Sequence, residues 1–148
     1  MNAMNPIVVA CLALLLIGHA GAAADRAGPA RDAERGKRIF HGHDAVQGTV
    51  QQNGTALPAL ASKCINCHSV HVPSGAWAGT PQYLTASTMS RKVSRRGGPA
   101  YFYDQPTFCH TVRTGVDPAG IVLESKMPRY KISDTQCADL WIFLSSIR

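Results

Sequence analysis

The sequence predicts an all-α domain with long connecting loops, and three observations carry that prediction. No stretch of the 148 residues sustains the two-residue alternation of a half-buried strand. The last fifteen or so residues place Cys137, Leu140, Trp141, Leu144 and Ile147 at helical spacing behind a Ser133/Gln136 capping box. Two further stretches, Asp32 to Phe40 and Pro106 to Thr114, carry charge and cap signals that suit short helices.

In chain order, Pro6 to Ala24 contains no charged residue: an apolar run from Ile7 to Ile17 gives way to small residues ending in Ala22-Ala23-Ala24. That is the pattern of a secretory signal peptide, although Met1 to Asn5 lacks the usual basic residue, and an uncleaved membrane anchor is the alternative. Cys11 follows Val8-Val9-Ala10 as in a lipobox, but the apolar run continues beyond it, which argues against lipidation. The expected organisation is a cleaved signal peptide over 1–24 and a single domain over 25–148, exported to an oxidising periplasm. All charged residues lie after position 24, so the net charge of +6 belongs to that domain.

Within it, Asp32 is placed to cap the first helix, with Glu34 near its positive end and Lys37 and Arg38 near its negative end. Gly36 and Phe40, four apart, share a face. From His41 to about residue 60 the chain is polar and rich in Gly and Gln, and it is expected to form a surface loop insertion in which His41 and His43 are solvated.

The run Cys64-Ile65-Asn66-Cys67-His68 has the C-x-x-C-H spacing that attaches a c-type haem: two thiols add to the haem vinyl groups, and the histidine turns toward iron as its proximal ligand. A thioredoxin-like dithiol expects a βαβ context, and a four-cysteine zinc site needs a second C-x-x-C; the sequence has neither. The second axial ligand is expected to be Met127, presented by the non-helical segment before Pro128, with Met89 as its competitor. Cys109 or His110 is a remoter alternative.

Asp104 or Gln105 is expected to cap the middle helix, with Pro106 in its first turn and Gly115 as its stop. Cys109 on that helix and Cys137 on the last are the cysteines left over, and in an oxidising compartment they are expected to pair. Arg91, Lys92, Arg95 and Arg96 form a basic cluster beside Gly97-Gly98-Pro99. It is either a solvated face or a docking patch that steers acidic redox partners. Nucleic acid is excluded as a partner, since no aromatic platform or nucleic-acid motif accompanies the cluster.

Gly36-x-x-x-Phe40, Cys64-x-x-Cys67-His68, Met127-Pro128 and Trp141 together resemble a class I, monohaem cytochrome c, over Asp32 to Arg148. The resemblance implies the cytochrome c fold. Its N- and C-terminal helices cross, with Gly36, Phe40 and Trp141 at the contact, and long loops wrap one covalently bound haem c. It also implies a proline carbonyl that holds the proximal histidine; Pro81 is the best match and Pro73 the nearer one. The long stretch from Phe40 to Cys64 departs from simple members of that family. The function expected on these grounds is periplasmic electron transfer, without catalysis, by one haem ligated by His68 and Met127. The alternatives are a haem subunit of a dehydrogenase or oxidase complex, or a peroxidase-like or ligand-binding haem protein.

Overall fold

Pro29 occupies the first turn of helix α1 (Pro29–His41), where its missing N–H is no loss, and Gly28 stands at the N-cap. The helix therefore begins earlier than Asp32, which lies in the first turn and pairs with Arg35 at 2.6 Å. Gly42 closes it in the left-handed region at φ 73°, its N–H donating to the Ile39 carbonyl. The computed structural model describes residues 28–76, 82–94 and 96–148. The expected signal peptide, 1–24, lies outside the described residues, as do Pro81 and Arg95. Among the described residues no helix is long and apolar enough to cross a membrane.

Among the described residues three more α-helices follow: α2 (Ala86–Ser90), α3 (Gln105–Thr114) and α4 (Asp134–Ser146). Each opens with a reciprocal capping box, Thr85 with Thr88, Asp104 with Thr107, and Ser133 with Gln136. Gly115 ends α3 in the left-handed region at φ 70°. Helix α4 is the central element and is buried on two sides. Cys137, Leu140 and Leu144 join the core with Phe108 and Val112 of α3, while Asp139 and Phe143 meet α1. Phe40 of α1 is fully buried, with its ring centroid 5.8 Å from that of Phe143.

The all-α expectation is corrected. Strands β1 (Gln47–Thr49) and β2 (Arg129–Lys131) pair antiparallel, Gln47 opposite Lys131, Gly48 opposite Tyr130 and Thr49 opposite Arg129. Among the described residues, four short α-helices with a two-stranded sheet make a small mixed α/β arrangement, and the cytochrome c fold is not assigned to it. The physical reason is length: three residues are too few to display alternation, and the pairing joins segments some eighty positions apart. The stretch expected as a surface loop over 41–60 thus contains β1, and Val46 beside it enters the core. Trp141 is also placed differently from the resemblance. It is half-buried against Phe108, ring centroids 5.5 Å apart, and the aromatic that meets Phe40 is Phe143.

Candidate functional site

After the extended Lys63 the chain makes one tight 3-10 turn, Cys64–Asn66. The Cys67 N–H donates to the Cys64 carbonyl at 3.1 Å and the His68 N–H to the same oxygen at 2.9 Å. Bonding from His68 back to Cys64 is the spacing of an α-turn, so these two side chains leave the turn on one side while Cys67 leaves on another. Both face an apolar cavity that opens in part to solvent; Cys67 is exposed. The turn is anchored behind by Asn66, whose side-chain amide donates to the Leu60 carbonyl at 2.7 Å. In front, Ser69 exchanges hydrogen bonds with Gln82 and Leu84 at 2.7 and 2.8 Å, which fixes the exit from His68 and brings Leu84 to the cavity.

The cavity is small, with room of about 30 Å³, and opens in part to solvent. Phe40 of α1, Phe108 and Val112 of α3, and Leu140 and Leu144 of α4 wall it, with Val46, Tyr130 and Ile132 from in and around the sheet. Into this apolar enclosure come Cys64, His68 and Met127. Met127 sits in a turn in which its N–H donates to the Glu124 carbonyl at 3.0 Å, with Pro128 next. Met89, its competitor, is buried on α2 and is not among the residues lining the cavity.

Burial pushes the Cys64 thiol up to about 11, with the neighbouring Cys67 adding to the effect. Desolvation likewise holds the Tyr130 phenol well above its ordinary range, with smaller contributions from Cys64 and Cys67. Both groups are therefore neutral at physiological pH. Tyr130 is a site residue that the sequence analysis missed. Its signal is the pattern Arg129-Tyr130-Lys131, one aromatic between two basic residues just after Met127-Pro128.

The other expected residues fall elsewhere. Pro73 is exposed and its carbonyl accepts from Ala76 in a turn at 3.0 Å. Cys109 is disulfide-bonded to Cys137 with Cα atoms 5.9 Å apart, and His110 is exposed. His43 is exposed, while His41 is half-buried with Nδ1 2.9 Å from the Lys37 carbonyl oxygen. Arg91, Lys92 and Arg96 are exposed, and Arg96 reaches Glu124 at 3.8 Å and the Val122 carbonyl at 3.3 Å.

The cofactor expectation is corrected as well. Among the described residues no group of three or more His, Cys, Asp or Glu side chains gathers to hold a metal ion, and the sulfur–sulfur link present is that between Cys109 and Cys137. Cys64 and Cys67 are free thiols of unequal exposure. One haem c held through Cys64 and Cys67 is therefore not assigned, and the site is described by its residues: an apolar cavity with two sulfurs and an imidazole in its wall. No protein-family model, curated protein or solved structure matches the chain.

Proposed function

We propose that the protein is an exported, non-catalytic carrier of single electrons that exchanges them with other redox proteins through the cavity bounded by Cys64, His68 and Met127. The observation that supports this is the convergence of those three polarisable donors on an otherwise apolar enclosure. Such an apolar lining suits an apolar redox-active group, because it limits that group's contact with water, and a change of charge beside it is felt more strongly than in bulk water. Soft sulfur and imidazole side chains at its wall are the protein's means of tuning that change. Thiol–disulfide exchange by Cys64 and Cys67 is the poorer reading: attack requires a thiolate, and burial raises the Cys64 thiol to about 11 instead of lowering it.

The test is a redox titration of the exported protein, purified from cells and followed by visible absorption and intact mass. The expected result is a reversible one-electron spectral change whose midpoint moves in Met127→Leu and stays in place in Met89→Leu. A protein with no reversible step, or one equally sensitive to both substitutions, overturns the reading.

A further inference from the structure

Met127 is held at the cavity by a segment with little regular structure of its own. Before it, the loop after α3 folds on Asp117, a buried carboxylate that accepts from the Ala119 and Ile121 N–H groups at 3.0 and 2.8 Å and from the Tyr101 hydroxyl at 2.8 Å. The Leu123 N–H returns to the Gly115 carbonyl at 2.8 Å, which closes that loop. After Met127, the two-stranded sheet ties Arg129–Lys131 to β1. Between these anchors the Met127 N–H bond to Glu124 fixes the turn from within.

The Cys109–Cys137 bond spans the whole segment, since its 28-residue separation brackets Met127 and Tyr130. Its two halves stand beside the cavity walls: Cys109 follows Phe108 in α3, and Cys137 lies one turn before Leu140 in α4. Both cysteines are buried, Cys137 completely, so the bond is shielded from solvent thiols. We propose that this cross-link is a positioning device for Met127: by fixing the spacing of α3 and α4 it keeps the thioether in the cavity wall. A simple stabilising staple would protect every buried side chain alike. A positioning device protects Met127 selectively, because Met89 on α2 lies outside the loop that the bond closes. The inference takes its interest from the proposed redox site, but its readout needs no redox group.

The experiment compares the exported wild type with the Cys109→Ala/Cys137→Ala double variant under dilute hydrogen peroxide, which converts methionine thioethers to sulfoxides at rates set by exposure. Sulfoxide at Met127 and at Met89 is quantified by peptide mass spectrometry, after circular dichroism has shown the variant to be folded. The expected result is a rise of about five-fold or more in the Met127 rate with the Met89 rate unchanged. Equal acceleration at both methionines means general loosening and overturns the proposal, as does no acceleration at either. If the double alanine variant does not fold, the Cys109→Val/Cys137→Ala variant, which refills part of the buried volume without restoring the bond, gives the same two rates. The outcomes are judged in the same way. A failed redox titration with selective Met127 protection would leave the positioning role standing, so the two readings fail separately.

Discussion

A Cβ built on Gly36 would lie 2.0 Å from the Asp139 carbonyl oxygen, so α1 and α4 meet backbone to backbone at that point. The adjacent residue addresses the same partner by charge. Arg35 Nε and a terminal guanidinium nitrogen donate to the two Asp139 carboxylate oxygens at 2.8 and 3.0 Å, and the same terminal nitrogen reaches Asp32 at 2.6 Å. The close approach brings Arg35 within reach of a carboxylate that is 4% exposed. A buried charge of that kind is tolerated only when paired.

Gly36→Ala is therefore expected to destabilise the protein even though alanine is the better helix former. The propensity gain is about 1 kcal/mol. Against it stand contacts at 2.0 Å to a helix carbonyl and 2.8 Å to the Phe143 Cβ, neither of which moves without shifting α4. A net loss of about 1–3 kcal/mol should appear as a lower urea midpoint at unchanged slope. An unchanged midpoint would show that the helices have room to part.

Removal of the Cys109–Cys137 bond should lower global stability as well as expose Met127. The loop it closes has a 28-residue separation, for which the chain-entropy relation gives a loss of about 3–4 kcal/mol. Urea unfolding of the double alanine variant, compared with wild type under the same buffer, measures it. A difference below about 1 kcal/mol would mean that the unfolded chain is already constrained in other ways.

Hydrogen bonds from the Thr107 side chain and backbone hold the Asp104 carboxyl below the usual carboxylate range. A depressed folded-state value means that the unfolded chain binds the proton more readily, so the contribution is present above about pH 4 and is lost as pH falls further. Asp104→Ala should cost about 1 kcal/mol at neutral pH as a lost N-cap, and the gap from wild type should narrow below about pH 4. A gap that is constant down to about pH 2.5 would show that the cap does not depend on the carboxylate charge.

Legibility in the sequence followed the range of the interaction. The box at Ser133 and Gln136, the cap at Asp104 or Gln105 and the glycine stop at Gly115 are local signals, and the structure places the cap at Asp104. Asp32 misled because Pro29 offers an earlier start that is hidden among small residues. The sheet was not legible, since Gln47-Gly48-Thr49 carries no pattern and finds its partner far along the chain. The sequence marks one stripe on helix α4, through Cys137, Leu140, Trp141, Leu144 and Ile147. The helix buries a second, through Asp139 and Phe143, which a polar residue disguises. In the candidate site, the spacing of Cys64 and His68 was legible because one turn joins them. Tyr130 was not, because its place depends on how the sheet is paired.

The last expectation concerns encounter with partners. Arg91 and Lys92 are exposed with net positive charge around them, while Arg96 is turned partly toward Glu124 at 3.8 Å. If this surface steers an acidic redox protein, bimolecular electron transfer should slow steeply with added salt, because at about 0.1 M ionic strength the reach of surface charge is already cut to roughly 10 Å. Arg91→Glu/Lys92→Glu should then flatten the salt dependence and slow association at low salt. The midpoint potential should stay where it is, since the change acts on approach and not on the cavity. Stopped-flow rates against an acidic redox protein over a range of salt concentrations decide the matter. A variant with the wild-type slope would return Arg91 and Lys92 to an ordinary solvated face.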